Sequence, residues 1–436
     1  MENNWVRKYF IAQSVQIGYS NFHLLFSRSA NKRFQKDLLP KRGGEFEVFY
    51  GVKSMTSRER LLTALNHKTP DRVPIDLGGT PTSTISISAH ENLKSHLGIR
   101  AETRVMSPIF LTAYPDDSIV ERFGVDVKMV TAKPPANFKL QVSPGGRIID
   151  EWGIVYQKHE EAQTHFVVEN ESPLHRVSSK GEIAKYPWPD PADPTRYTGL
   201  RDVAKGYREQ GFGVVVNTPI MVMTFAQWLR GLEQFMFDTA LNPGLLEYLM
   251  DKILEILLEM TRLLLEEVKP YADVLVIGDD LSHQGGLTYS PDMYRRLFKP
   301  RHRAIVQFLK KHGGEAKILY HCCGAAKSLL SELVEIGIDA YNPVQVSAVG
   351  MDDTRELKKT FGKDLTFWGG IDTQRVMPFG KPVDVRQEVK RRIEELGPDG
   401  GFVLGAVHNL RPEVTPENIC ALFEAALEFG RYPAKK

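Results

Sequence analysis

The sequence predicts a (β/α)8 barrel, an α/β fold built as one domain. Eight short apolar runs of strand character are separated by stretches with helical periodicity. None of them is followed by the glycine-rich phosphate fingerprint of a doubly wound dinucleotide fold. Carboxylates, imidazoles and thiols fall at the C-terminal ends of these runs, which is where a barrel of this kind carries its active site.

The elements follow in order. Residues 1–54 carry nine lysines and arginines against four acids and show poor periodicity. They read as an N-terminal extension, with Met55 as the natural start; a basic targeting or docking arm is the competing reading. From residue 55 to 432 the chain reads as the barrel. Thr56 or Ser57 caps an amphipathic helix bearing Leu61, Leu62, Ala64 and Leu65. The first strand is 72–79 and the second 125–130. Residues 144–176 read as a β-hairpin insertion after strand two, with a strand over 147–156 that pairs with 165–168. Pro187, Pro189, Pro191 and Pro194 mark an irregular loop. The third strand is 211–216. A long helix after Asn242 then repeats Leu245, Leu246, Leu249, Ile253, Ile256, Leu257 and Met260 at helical spacing, a core stripe. The fourth strand is 273–280, and a helix from Pro291 to His312 follows it. The remaining strands are 316–322, 340–344, 365–371 and 402–407, and a last helix, 416–430, is capped by Thr415.

Composition bounds the function classes. Of 436 residues 42% are hydrophobic and 25% charged, with a formal net charge of +2. That balance implies neither a nucleic-acid partner nor an acidic surface. Three cysteines in this length argue against a disulfide framework and for a reducing compartment. No apolar run is long enough to span a bilayer, and Gln13, Ser14 and Gln16 interrupt the early apolar segment. A cytoplasmic protein is expected, with no membrane partner.

The strand ends list the candidate site. They supply Asp76 and Gly78-Gly79; Asp126 near the start of the second strand; Asn217 and Thr218; and Asp279, Asp280, His283 and Gln284. The later strands add His321, Cys322 and Cys323; Asn342, Pro343 and Gln345; Gly369, Gly370 and Asp372; and His408 and Asn409. A single aspartate at a strand end is most often a cap or turn residue. Clustering on one rim is what points to chemistry. Side chains alternate along a strand, so His321 and Cys323 face the same way and Cys322 faces away. Imidazole and thiolate together suit zinc. His408 is the preferred third ligand, with Asp279 or Asp280 next, and three protein ligands leave a fourth position open. Cys420, inside the last helix, reads as a buried structural thiol.

At these residues the chain resembles the uroporphyrinogen decarboxylase superfamily, over about residues 55–432. The resemblance runs through Arg58-Glu59-Arg60-Leu61-Leu62-Thr63-Ala64-Leu65, Thr69-Pro70-Asp71-Arg72-Val73-Pro74, Leu229-Arg230-Gly231-Leu232-Glu233 and Gly278-Asp279-Asp280. It continues through Tyr289-Ser290-Pro291-Asp292-Met293-Tyr294, His321-Cys322-Cys323-Gly324, Trp368-Gly369-Gly370-Ile371-Asp372, Val407-His408-Asn409 and Val414-Thr415-Pro416-Glu417-Asn418-Ile419. It implies the barrel fold and two chemistries. Decarboxylases of the superfamily hold a polycarboxylate with an Arg-Gln-Ala-Gly-Arg run after the first strand. Here that place reads Leu77-Gly78-Gly79-Thr80-Pro81-Thr82-Ser83, without arginine. The corrinoid methyltransferase branch binds zinc through His-x-Cys and a cysteine near the last strand. His321-x-Cys323 matches the first element, and His408 stands where the second is a cysteine.

The resemblance therefore implies a zinc-dependent methyltransferase of the corrinoid branch. It would move a methyl group between a corrinoid and a small methyl donor or acceptor, as in O-demethylation systems. The corrinoid, a cobalamin-type cofactor, would come on a partner protein, because the sequence holds no Asp-x-His-x-x-Gly motif. The expected ligands are His321, Cys323 and His408. Asp279 or Asp280 is expected as base or as partner to a ligating histidine, and Asp76, Asn217, Asn342, Gln345 and Asp372 as substrate contacts. The alternatives are decarboxylation of a porphyrinogen polycarboxylate, with Asp76 or Asp126 touching substrate, and a non-catalytic corrinoid-binding barrel. The rim serves partner docking or homodimer packing equally.

Overall fold

Parallel barrel strands are covered by helices outside and by one another inside, so they read as continuous apolar runs. The computed structural model describes residues 55–143, 145–160 and 162–432. In it seven such runs form one parallel sheet. They are β1 (Val127–Thr131), β2 (Gly213–Asn217), β3 (Val274–Gly278), β4 (Lys317–His321), β5 (Ala340–Asn342), β6 (Thr366–Ile371) and β7 (Phe402–Ala406). They lie side by side in chain order from β1 to β7. Val214, Val215 and Val216 are fully buried, as are Leu275, Leu319 and Phe367. Expectations about residues 1–54 lie outside the described residues.

The expected first strand differs. Residues 72–79 form no continuous ladder, yet they fill the eighth place and close the barrel. Ile75 bridges Leu404 in parallel. Asp76 N donates to Leu404 O (2.8 Å), Leu404 N to Pro74 O (2.9 Å), and Asp126 N to Ile75 O (2.9 Å). Pro74 has no N–H to offer, and Gly78 (φ +86°) turns the chain away from the sheet. The segment is thus too short for a ladder but bonded on both sides.

Asp126 closes the opposite end of the barrel from the strand-end rim. Its carboxylate takes Arg60 Nη1 (2.7 Å), Arg72 Nη1 (2.7 Å) and Ile75 N (2.8 Å), and it is fully buried. The expectation that it touches substrate is corrected: it neutralises two guanidinium groups at the start of β1.

The first helix, α1 (Ser57–Leu65), is capped by Thr56, which accepts from Glu59 N while Glu59 accepts from Thr56 N. The stripe on α4 (Pro243–Val268), which follows α2 (Val222–Arg230) and α3 (Leu232–Leu241), is buried from Leu246 to Met260 at its core positions. The helix after β3 contains a π-helical turn, Tyr294–Phe298, before α5 (Lys299–His312). The last helix, α6 (Pro416–Phe429), takes its cap from Thr415 and buries Cys420.

The insertion is a four-stranded antiparallel sheet, Gln141–Val142, Arg147–Ile149, Val155–His159 and Thr164–Val167. The expected pairing with 165–168 is present, with Tyr156 opposite Val167, but the strand expected over 147–156 is two strands. Asp150 Oδ1 accepts from Trp152 N and Ile154 N, both at 2.9 Å, and Gly153 takes φ +73°. An aspartate that bonds its own backbone makes a turn inside an apolar run. Trp152 packs against Phe225 of α2 in a tilted ring pair, centroids 4.5 Å apart, which fixes the insertion to the barrel. No helix among the described residues is long and apolar enough to cross a membrane.

Candidate metal centre at the barrel mouth

β4 carries its last side chains to the C-terminal rim of the sheet. Cys323 Sγ lies 3.5 Å from His321 Nε2. Cys322 points the other way, into the core, where Leu281 N donates to its sulfur at 3.3 Å. Burial, with Asp280 beside it, pushes the Cys322 thiol up to about 12, so it stays protonated and is no ligand. β7 ends at Ala406, and His408 follows on the same rim. One ring nitrogen each from His321 and His408, together with Cys323 Sγ, lie within 4.8 Å of one another, and all three residues are half-buried. Burial, then the neighbouring His321, pushes the His408 imidazole down to about 3. It is therefore neutral and offers a lone pair.

The loop holding Cys323 is pinned by backbone contacts. Cys323 N donates to Asp280 Oδ1 (2.8 Å), Ser282 Oγ to Cys323 O (2.6 Å), and Gly324 N to Gln345 Oε1 (2.6 Å). Gly324 has φ +95°, and a Cβ there would stand 2.7 Å from His283 O. Gly324→Ala combines left-handed strain with a backbone clash. It is expected to cost about 1–3 kcal/mol and to displace Cys323, so thermal melting and metal stoichiometry should fall together.

His321 is held from behind. Its Nδ1 lies 2.6 Å from Asn342 Oδ1 and 3.2 Å from Thr82 Oγ1. Asn342 Nδ2 donates to Trp368 O at 3.2 Å. Thr82 is missing from the strand-end list because it sits in the loop after residue 79, noted above only for its lack of arginine. A run of four hydroxyl residues in five, 80–84, is the signal that could have found it.

The two aspartates after β3 part company. Asp279 is buried, and its carboxylate accepts Met223 N (3.1 Å), Thr224 N (2.8 Å), Thr224 Oγ1 (2.9 Å) and His302 Nε2 (3.1 Å). It anchors the start of α2 and is withdrawn as catalyst or ligand. Asp280 is half-buried and holds the ligand loop through Cys323 N. Its charge and burial raise the Cys323 thiol well above its ordinary value, burial being the larger cause.

The expected substrate contacts are mostly engaged elsewhere. Asp76 is buried and accepts Gly79 N (2.8 Å) and the Trp368 indole N–H (2.7 Å). Burial raises its pKa. Gln345 Oε1 holds Gly324, and Asp372 Oδ1 holds the turn at Gln374 N (2.7 Å) and Arg375 N (3.2 Å). Asn342 faces His321. Asn217 donates to Gly79 O (3.1 Å), while its buried Oδ1 takes no hydrogen bond among the described residues.

The donor set suits a divalent metal. A tetrahedral ion with bonds of about 2.0–2.3 Å keeps its ligands roughly 3.5 Å apart, and the His321–Cys323 pair already has that spacing. Two imidazoles and one thiol are zinc chemistry.

A family model described as uroporphyrinogen decarboxylase (URO-D) matches residues 171–429. The chain belongs to the uroporphyrinogen decarboxylase family. Curated relatives include a uroporphyrinogen decarboxylase of Alkalilimnicola ehrlichii, 25% identical over 58% of this chain and 67% of that protein. Another, from Pseudoalteromonas translucida, is 23% identical over 58% of this chain and 70% of that one. Among solved structures, a methyltransferase from Methanosarcina mazei aligns with a TM-score of 0.59 at 19% identity. It covers 86% of this chain and 99% of the other, a likeness of fold. The first 114 described positions of the barrel, including Asp76 and Thr82, precede the stretch that the family model matches.

Proposed function

We propose that this member of the family is a zinc-dependent methyltransferase that acts with a corrinoid protein, moving a methyl group between the corrinoid and a small donor or acceptor. The observation that carries the reading is the convergence of His321, Cys323 and His408 at the barrel mouth. Zinc held by three protein ligands keeps one position open and makes a thiol or hydroxyl there more acidic. His321 and His408 would each bind through a neutral ring nitrogen. Cys323 would exchange its proton for the ion, as ligand thiols do. Asp280, one residue past the buried Asp279 and bonded to Cys323 N, is the group placed to take up that proton or one from substrate. The loop over 77–83 brings hydroxyls and no guanidinium, which suits a substrate with few negative charges. Purified protein is expected to contain near-stoichiometric zinc and to demethylate a methylated corrinoid protein when given a small thiol. Metal-free protein that releases carbon dioxide from uroporphyrinogen would end this reading.

The names of the curated relatives favour a second reading, decarboxylation of a polycarboxylate. It would use Asp76 beneath the mouth and cannot use Asp126, which the two arginines hold. Its difficulty is counter-charge, since several carboxylates need paired guanidinium groups. Carbon dioxide release, measured beside zinc content, separates the two readings.

A further inference from the structure

A metal-binding histidine works only if the nitrogen facing the ion carries the lone pair, and that is decided by what its other nitrogen meets. At His321 the decision passes through two neighbours. Asn342 has its amide orientation set, because Nδ2 donates to Trp368 O (3.2 Å) and only Oδ1 is left to face Nδ1 at 2.6 Å. An acceptor at that distance requires a proton on Nδ1.

The second neighbour ends a chain of hydroxyls. Ser83, in the loop over 77–83, is its far end. Its Oγ then accepts from Thr80 Oγ1 at 3.0 Å. Thr80 Oγ1 in turn lies 3.1 Å from Thr82 Oγ1, and Thr82 Oγ1 lies 3.2 Å from His321 Nδ1. Thr80 spends its one hydroxyl proton on Ser83. Thr80 can then only accept from Thr82. Thr82 therefore turns a lone pair toward Nδ1. Both routes demand the same tautomer.

We propose that Asn342 and the Thr82–Thr80–Ser83 chain are positioning residues that hold His321 as the Nδ1–H tautomer, leaving its Nε2 lone pair facing Cys323 and His408. This rests on the metal reading for its purpose but not for its geometry. It also gives Asn342 a role other than the substrate contact expected from sequence.

Two measurements test it. In metal-free protein with 15N-labelled histidine, NMR is expected to find His321 protonated on Nδ1; protonation on Nε2 overturns the proposal whatever the protein binds. Zinc affinity, measured by competition with a chromophoric chelator, is expected to fall about 10- to 100-fold in Asn342→Leu. Asn342→Asp, which keeps an acceptor, is expected to retain it. Thr82→Val is expected to weaken zinc several-fold and Thr82→Ser to restore it. Wild-type affinity in folded Asn342→Leu and Thr82→Val also overturns the proposal. Failure of wild-type protein to bind zinc would instead count against the metal reading, and the tautomer result would stand by itself.

Discussion

Replacing Cys323 by alanine is expected to remove zinc while leaving the barrel folded. Cys323 supplies the one sulfur of the cluster, 3.5 Å from His321 Nε2, and a thiolate is the strongest of the three ligands for zinc. Two imidazoles alone form an incomplete site. Because even a change behind a ligand costs about 10- to 100-fold in affinity, loss of the ligand itself should exceed that range. The contacts that pin the loop run through the Cys323 backbone and survive the change. Melting should therefore stay near wild type. Cys322→Ala is the informative contrast: it empties a buried position in the core, so stability should fall while zinc is retained. Stoichiometric zinc in Cys323→Ala would show that the ion, if bound, sits elsewhere.

Asp126→Ala is expected to be among the most destabilising single changes in the chain. The Arg60 side chain is 7% exposed and that of Arg72 14%, and both point at a carboxylate that is 0% exposed. Breaking a buried pair from one side leaves uncompensated charge in a place water reaches poorly, at a cost of about 3–5 kcal/mol. Asp71 still pairs with Arg60 at 2.6 Å and softens the loss on that side. The Ile75 amide also loses its acceptor (2.8 Å), which weakens the closure between the 73–76 segment and β1. Against a typical total stability of about 5–15 kcal/mol, that is a large fraction. A fall in the urea midpoint, with zinc affinity of the folded fraction unchanged, is the expected result. Selective loss of activity at full stability would return Asp126 to the list of substrate contacts.

Which strand ends lie near one another was legible because the barrel repeats one rule. Each parallel strand is apolar along its length, so its end is visible as the point where polar residues begin. That is how His408 joins His321 across 86 intervening positions of chain, and why Cys322 and Cys323 separate so cleanly: alternation needs no knowledge of the rest of the molecule. The same rule cannot distinguish Asp279 from Asp280. Both follow β3, and the choice depends on where the amides of Met223 and Thr224 and the ring of His302 arrive. Asp150 is another case, since an apolar run with one aspartate reads as a strand until the local backbone bonds to that side chain.

By itself, then, the sequence determined the barrel, its rim, the outward thiol and the absence of arginine from the 77–83 loop, because each follows from periodicity or from residue type. The tertiary structure alone decided how the eighth place is closed and that Asp126 and Asp279 are held by the fold. It alone showed that Thr82, 239 positions away, stands behind His321. The physical reason is common to all of these. A carboxylate, amide or hydroxyl takes its role from the partner that reaches it first, and that partner is brought by chain closure from a distance the local pattern does not record.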